Sequence, residues 1–192
     1  MTTIVVVRKN GYAAIAADSL TTFGTTRLSE AYDAAFDKVQ MFGDTYFGIA
    51  GSAAHHLVLE SILQRQRDLS FHGKREIFES FLKIHLLLKD EHFLNPKEEE
   101  DDPYESSQLT AVLANETGIY AVYSMREVFE FNRFWAIGSG REYAVGAMYV
   151  AFDQVESAEQ VARIGVRAGA EFDTNTALPL TVYTLPLEAP QR

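Results

Sequence analysis

The second residue of the chain carries the groups for one particular chemistry. Thr2 follows Met1, and removal of Met1 would leave one residue with both a free α-amine and a β-hydroxyl. A threonine hydroxyl is a weak nucleophile until a base takes its proton, and an N-terminal amine is one recognised base. The reference pKa of such an amine is about 8, close to the pH at which general-base catalysis is efficient. Thr2 is therefore a candidate nucleophile that contains its own base.

A predicted hairpin brings a carboxylate close to Thr2. Two apolar segments flank Asn10-Gly11, the strongest short-range hairpin signal. A two-residue turn would set Thr3 opposite Asp18, whereas a three-residue loop with Gly11 in the left-handed conformation would set Thr2 opposite Asp18. Facing residues in such a pair have Cβ atoms about 5 Å apart. Both registers place the Asp18 carboxylate within one position of Thr2.

The rest of the pattern predicts antiparallel strands interrupted by two pairs of helices. The predicted strands are Thr3–Arg8, Tyr12–Ala17, Lys38–Phe42, Thr45–Ala50, Gln108–Ala114, Gly118–Tyr123, Val128–Ile137 and Leu180–Leu185. The first two helices lie on either side of a break at Ser70–Gly73, and the other two are Glu142–Phe152 and Ala158–Phe172. Ser157 and Gln160 form a capping-box pattern before the last helix. The polar segment between Ser19 and Asp37 is expected to be a loop or a bulged strand end.

The predicted strands are apolar on both faces, which is expected of sheets that are covered on both sides. Two sheets packed together, with a pair of helices outside each, would bury every apolar face. The expected fold is therefore α+β, a four-layer αββα sandwich. At 192 residues, the chain is expected to form a single domain over 1–192.

Composition narrows the classes of function. The content of 47% hydrophobic and 23% charged residues is typical of a soluble globular protein, and no apolar run is long enough for a membrane span. No signal peptide is recognisable, so a cytoplasmic protein is expected. The absence of cysteine excludes disulfides and thiolate chemistry, and a formal charge of −10 argues against nucleic-acid binding.

Five segments, in order and at compatible spacing, resemble a proteasome-type β subunit of the N-terminal-nucleophile (Ntn) hydrolase superfamily. They are Thr2-Thr3-Ile4-Val5, Ala16-Ala17-Asp18, Asp37-Lys38-Val39, Gly48-Ile49-Ala50-Gly51-Ser52-Ala53 and Ile137-Gly138-Ser139-Gly140. The resemblance covers nearly the whole chain and extends to the bacterial peptidase HslV. The region Gln108–Phe131, the acidic loop before it and the extra residues between Asp18 and Lys38 depart from HslV. They favour the betaproteobacterial proteasome homologue.

The resemblance implies a threonine endopeptidase that acts through an acyl-enzyme. Thr2 would be the nucleophile, Lys38 the charged neighbour that lowers the proton affinity of the threonine, and Asp18 the partner that orients Lys38. The backbone N–H of Gly48 would stabilise the oxyanion, a donor whose loss in other hydrolases costs about 3 kcal/mol.

Three further residues are implied to hold the amine of Thr2 by hydrogen bonds. They are Ser139, Asp173 and Thr176, of which Thr176 stands where the family carries a serine. No cofactor and no metal is implied. Gly51 is interpreted as a packing glycine, and the pair His55-His56 as helix-capping or surface residues.

The family also implies partners. It predicts peptide or unfolded protein as substrate, homo-oligomeric stacked rings of six or seven subunits, two of them face to face, and an ATP-dependent unfoldase. Alternatives are a non-catalytic scaffold subunit like the α type, which carries a helix before the first strand, and a small-amide Ntn-hydrolase. A regulatory binding protein that uses the acidic run 98–102 is the third alternative.

Overall fold

The computed structural model describes residues 2–96 and 101–188. Its strands are β1 (Thr3–Lys9), β2 (Tyr12–Asp18), β3 (Thr21–Phe23), β4 (Thr26–Leu28), β5 (Val39–Phe42), β6 (Thr45–Gly51), β7 (Leu109–Asn115), β8 (Gly118–Val122), β9 (Val128–Glu130), β10 (Phe134–Gly138) and β11 (Leu180–Pro186). Its helices are α1 (Ala54–Arg65), α2 (Lys74–Asp90), α3 (Arg141–Ala151) and α4 (Ala158–Phe172). None of these helices is long and apolar enough to cross a membrane.

Two antiparallel sheets form the centre of the fold. One has the strand order β10-β1-β2-β11 and the other β5-β6-β7-β8-β9, while β3 and β4 form a separate small hairpin. Strand β1 shows how the layers arise, because side chains alternate between the two faces of a strand. Ile4 and Val6 point to the space between the sheets, whereas Val5 and Val7 point to the outer face.

Three apolar cores hold the layers together. The core between the sheets includes Ile4, Val6, Ile15, Val112, Ile119 and Ile137. Helices α1 and α2 cover the outer face of the five-stranded sheet through Leu59, Ile62, Ile77, Phe81, Phe47 and Leu113. Helices α3 and α4 cover the four-stranded sheet through Ala144, Met148, Val161, Val166, Val5 and Val7. The predicted four-layer αββα sandwich is confirmed.

The turn between β1 and β2 selects one of the two expected registers. Lys9 pairs with Tyr12, and Asn10 and Gly11 both have positive φ angles, 51° and 78°. These angles define the two-residue turn that matches the twist of the strands. Pairing continues to Ile4 opposite Ala17. The two-residue register is therefore the correct one, and Thr3 comes to lie beside Asp18.

The predicted strand Val128–Ile137 is wrong as a single element. Strand β9 pairs with β8 in the five-stranded sheet, whereas β10 pairs with β1 in the four-stranded sheet. Residues 131–133 carry the chain from one sheet to the other, and Phe131 stacks on Trp135 across this crossing with ring centroids 5.0 Å apart. A continuous run of strand-forming residues does not reveal where the chain changes sheets.

Other local expectations have mixed outcomes. The capping box of α4 is confirmed, since Ser157 accepts a hydrogen bond from the Gln160 backbone N–H at 3.1 Å. The segment expected to be a loop or bulged strand end after Asp18 contains the hairpin β3–β4. Of the acidic run 98–102, residues 98–100 lie outside the described residues, so their predicted docking role stays a prediction.

Candidate active site

The hydroxyl of Thr2 lies between a carboxylate and an amine. Thr2 Oγ1 donates to Asp18 Oδ1 at 2.6 Å and accepts from Lys38 Nζ at 3.0 Å. Lys38 Nζ also donates to Asp18 Oδ1 at 2.9 Å, so the three groups form a closed triangle. Thr2 precedes β1 and Asp18 ends β2, whereas Lys38 precedes β5 of the other sheet. The triangle therefore lies where the ends of β1 and β2, the two inner strands of the four-stranded sheet, meet the edge strand β5 of the other sheet.

The Asp18 carboxylate is fixed by backbone donors as well as by side chains. It is 1% exposed. Its Oδ1 accepts from the N–H of Thr3 at 3.0 Å, and its Oδ2 accepts from the N–H groups of Leu20 at 3.0 Å and Ala177 at 3.2 Å. A buried carboxylate is tolerated only when it is paired and hydrogen-bonded, and Asp18 meets both conditions.

Lys38 has all three of its N–H donors engaged. Besides Thr2 and Asp18, Nζ donates to the carbonyl oxygen of Leu20 at 2.6 Å. Burial lowers the pKa of Lys38 below its ordinary value, and the attraction of Asp18 opposes this effect without cancelling it. Lys38 therefore loses its proton more readily than an exposed lysine, and while it is protonated its positive charge favours loss of the proton from the Thr2 hydroxyl.

A second polar group lies on the other side of the Thr2 backbone. Asp173 Oδ2 accepts from Ser139 Oγ at 2.5 Å and from Thr176 Oγ1 at 2.7 Å. Ser139 Oγ also lies 3.5 Å from the carbonyl oxygen of Thr2, and Thr176 Oγ1 lies 2.9 Å from Thr3 Oγ1. The structure thus brings the three residues expected to hold the amine together beside Thr2.

The charge of Asp173 is favoured by these contacts. Its partial burial would raise the pKa of the carboxyl, but the hydrogen bonds from Ser139, Thr176 and the Asn175 backbone outweigh burial and lower the pKa. Asp173 is therefore ionised at neutral pH.

Glycines allow this close approach around the first residues. A Cβ at Gly138, whose φ is +92°, would lie 2.0 Å from the carbonyl oxygen of Thr2. A Cβ at Gly140 would lie 2.1 Å from Thr3 Oγ1, and one at Gly169 in α4 would lie 2.5 Å from the same atom. The segment Gly138-Ser139-Gly140 is thus a cradle for the Thr2-Thr3 backbone, in which only glycine fits on either side of the serine.

A cavity of about 620 Å³ opens in front of the triangle. Its walls come from the start of β3, the segment before β5, the end of β6 and the start of α1. Thr2 and Lys38 lie at this surface together with Gly51, Ala53, His56 and Phe36. Reactive groups that converge on a concave space are what a substrate-binding site requires.

Gly48, the expected oxyanion donor, does not reach this cavity. It lies inside β6, paired with Val39 on one side and Val112 on the other. A Cβ there would lie 2.6 Å from Ile4 Cγ2, in the core between the sheets. The assignment to Gly48 is therefore corrected: this glycine permits close packing of the two sheets and does not line the cavity.

Two residues that line the cavity, Gly51 and His56, were not expected to do so from the sequence. Gly51 ends β6 at the cavity wall instead of serving only as a packing glycine, and His56 lies in the first turn of α1 and faces the cavity. Burial lowers the pKa of His56, and the nearby charge of Lys38 lowers it further. The place of Gly51 at the junction of β6 and α1 is the signal that could have identified it.

Known proteins match this chain over most of its length. The family model described as proteasome subunit matches residues 1–178. A search of curated proteins found no match. Among solved structures, the chain is similar to Thiobacillus denitrificans BPH, with 38% identity over 98% of this chain and all of that one, at a TM-score of 0.92. The same protein in complex with epoxomicin matches at 37% identity over 97% of this chain and 100% of that one, with a TM-score of 0.91.

A more distant likeness concerns the fold alone. The eukaryotic HslV from Trypanosoma brucei is 19% identical, and the match covers 96% of this chain and 99% of that one with a TM-score of 0.71. The family match covers most of the chain. In addition, more than a third of the residues are identical to those of BPH over nearly the whole length of this chain. The chain therefore belongs to the proteasome subunit family.

Proposed function

We propose that this chain is a threonine endopeptidase subunit that becomes active when Met1 is removed. One observation carries the proposal: the hydroxyl of Thr2 is held by Asp18 and Lys38 at the wall of an open cavity. A hydroxyl in these contacts is positioned and polarised for attack on a carbonyl carbon. The identity with BPH over nearly the whole chain supports the same reading.

The proposed reaction has two halves. The free amine of Thr2 accepts the hydroxyl proton while Oγ1 bonds to the carbonyl carbon of the peptide, which creates a tetrahedral oxyanion. The amine then passes that proton to the departing nitrogen, the C–N bond breaks, and an ester on Thr2 remains. Water attacks the ester with the amine again as base, the C–O bond breaks, and the hydroxyl is restored.

The surrounding residues have distinct proposed roles in these steps. Lys38 supplies positive charge beside the attacking oxygen, and Asp18 orients Lys38. We assign the oxyanion donor to the backbone N–H of Gly51, because Gly51 lines the cavity and Gly48 does not. Such a donor contributes about 3 kcal/mol in other hydrolases.

Ser139 and Asp173 would receive the free amine of Thr2, with Thr176 fixing Asp173. Asp173 is ionised and lies beside the Thr2 backbone through Ser139, so it suits a group that alternates between amine and ammonium. No cofactor and no metal takes part in this proposal.

We further propose a cytoplasmic homo-oligomer of a single-domain subunit, built as two face-to-face rings of six or seven copies. Exposed large side chains on α3 and α4, including Tyr143, Tyr149 and Phe172, support an assembly contact through this layer. An enclosed chamber would confine a peptidase of broad mechanism to peptides or unfolded proteins. An ATP-dependent unfoldase is the proposed partner that delivers them.

The test compares Thr2→Ala with Thr184→Ala, which alters an exposed threonine on β11 away from the cavity. Loss of the nucleophile should lower the cleavage of fluorogenic peptides by at least about a thousandfold. Thr184→Ala should keep full activity, and native mass spectrometry should give the same number of subunits per assembly for all variants.

Intact mass measurement must first show that Met1 has been removed from the wild type. Epoxomicin, found bound to Thiobacillus denitrificans BPH, should then inhibit the wild-type particle. An unchanged cleavage rate in Thr2→Ala would contradict the mechanism. A processed wild-type assembly that cleaves nothing would favour the scaffold alternative.

A further inference from the structure

A second cluster of ligand-type side chains lies at the end of the five-stranded sheet that is remote from Gly51. Asp44 belongs to the turn between β5 and β6, His72 to the segment between α1 and α2, and Glu116 to the turn between β7 and β8. One ligand atom from each lies within 4.8 Å of the other two. This is the single such group among residues 2–96 and 101–188. None of the three takes part in the proposed peptidase chemistry.

We propose that Asp44, His72 and Glu116 bind a divalent transition-metal ion, with Zn²⁺ as the ion that fits them best. An imidazole nitrogen and two carboxylate oxygens form a donor set that Zn²⁺ accepts, at bonds of about 2.0–2.2 Å. Two such ligands of one tetrahedral ion lie about 3.3–3.6 Å apart. His72 Nε2 lies 3.0 Å from Asp44 Oδ2 and 4.0 Å from Glu116 Oε1, so a small shift of the exposed Glu116 carboxylate brings the three atoms to tetrahedral spacing.

A buried amide fixes the three segments that carry the ligands. Asn115 is completely buried, and its Nδ2 donates to Thr45 Oγ1 at 3.2 Å and to the carbonyl oxygen of Phe71 at 2.8 Å. Thr45 follows Asp44 in the chain, Phe71 precedes His72, and Asn115 itself precedes Glu116. A single side chain thus ties together the immediate neighbours of all three ligands.

The other end of the same amide fixes the turn that presents Glu116. Asn115 Oδ1 accepts from the backbone N–H of Thr117 at 3.0 Å and from its hydroxyl at 2.6 Å. The backbone N–H of Glu188 also donates to the carbonyl oxygen of Glu116 at 2.8 Å. Because these backbones are already fixed, only the ligand side chains need to become ordered when an ion binds. Such preorganisation is what a binding site requires.

His72 has an outer partner of the kind that metal-binding histidines use. Its Nδ1 lies 3.5 Å from Ser70 Oγ, and Ser70 Oγ donates to the Glu76 carboxylate. Without an ion, the Nε2–H of His72 donates to Asp44 Oδ2 at 3.0 Å. With an ion bound, Nδ1 would carry the ring proton and donate to Ser70, which leaves the lone pair of Nε2 for the ion. Outer contacts of this type set the tautomer and the ring orientation at metal sites.

Charge and exposure are compatible with capture of a cation from solution. Two carboxylates converge on one imidazole, and within residues 2–96 and 101–188 no lysine or arginine forms an ion pair with any of the three. The side chains of Asp44 and Glu116 are 59% and 48% exposed, so an ion can enter and a water can occupy a fourth position. A bound ion would join the β5–β6 turn, the α1–α2 segment and the β7–β8 turn.

The experiment is a calorimetric titration of the full chain with ZnCl₂ in a buffer that does not bind zinc. Wild-type protein should bind one Zn²⁺ per chain, and His72→Ala and Asp44→Asn should each weaken the affinity by at least about 100-fold. This estimate follows because loss of even an outer partner of a metal ligand costs about 10–100-fold. The control is His92→Ala, a histidine outside the cluster, which should bind as the wild type does.

Side-chain NMR provides a readout that does not depend on stability. The chain has five histidines, and the imidazole signal lost in His72→Ala should be the one that moves first on addition of one equivalent of Zn²⁺. Zn²⁺ should also raise the Tm of the wild type but not of His72→Ala, because an ion that binds only the folded state stabilises it. Failure of the wild type to bind Zn²⁺, or undiminished binding in both variants, would overturn the proposal.

Discussion

The two ends of strand β6 carry polar clusters that are built in opposite ways. At its last residue, Gly51, the cavity borders a triangle in which Lys38 is paired with the buried Asp18, so the two charges balance within the site. Just before its first residue, Asp44 converges with His72 and Glu116 near solvent, and the negative charge of this cluster is in excess. Unpaired charge is costly in the interior and inexpensive at the surface. The Gly51 end therefore needs an internal partner for its buried charge, whereas the Asp44 end can leave room for an ion from solution.

The sharpest way to break this comparison is to remove the internal partner. Lys38→Ala should lower peptide cleavage by about a thousandfold or more, because Thr2 loses the positive charge beside its hydroxyl. The same change leaves Asp18 buried without its ionic partner, which should destabilise the fold by several kcal/mol. Peptide cleavage and chemical denaturation measure the two effects.

Lys83→Ala is the matched control, since it removes a lysine paired with Asp68 at the surface. An exposed pair contributes little, so both activity and stability should stay close to wild type. Full activity in Lys38→Ala would show that the Lys38–Asp18 pair is not what distinguishes the Gly51 end of β6 from the Asp44 end.

The Asp44 end of β6 can be disrupted by a substitution at Asn115. Asn115→Ala removes an amide that makes four hydrogen bonds and leaves the Phe71 carbonyl and Thr45 hydroxyl without it. Buried groups left unpaired cost about 1–3 kcal/mol each, so the free energy of unfolding should fall by a few kcal/mol. Peptide cleavage per folded molecule should remain unchanged, because no ligand of this cluster touches the cavity. A loss of cleavage comparable to that in Lys38→Ala would show that the two ends are not independent.

Physical reasoning from the sequence predicted the layers and one contact of the candidate active site. Hairpin geometry alone placed Asp18 next to Thr2, because strand register is determined by a short turn. Lys38 and the Ser139–Asp173–Thr176 group come from segments distant in the chain, and they were expected only through resemblance to a family. Spacing within one segment carries no information about such contacts.

The errors have a common physical origin. Gly48 and Gly51 lie three residues apart on one strand, and whether a glycine serves packing or a cavity depends on what the opposite sheet brings to it. Val128–Ile137 similarly satisfies the strand pattern throughout, although its halves belong to different sheets. The cluster of Asp44, His72 and Glu116 was not predicted, because its members come from three separate connections and have no ligand spacing along the chain.

The smallest expected effect concerns His56 and the pH dependence of stability. Burial first, and then the charge of Lys38, lower the pKa of His56 in the folded state, whereas the unfolded chain has a histidine pKa of about 6.5. As the pH falls through about 6.5, the unfolded state therefore takes up a proton that the folded state does not yet bind. Stability is thus lost on acidification and rises with pH, because the unfolded state binds more protons.

His56→Gln removes this contribution while keeping a polar side chain of similar size. The fall in Tm between about pH 7.5 and pH 5 should be shallower in His56→Gln than in the wild type. Part of the fall should persist, because burial also lowers the pKa of His55. His92→Gln, which alters a histidine away from the cavity, serves as the matched variant for comparison. An unaltered slope in His56→Gln would mean that the surroundings of the cavity do not hold this imidazole neutral.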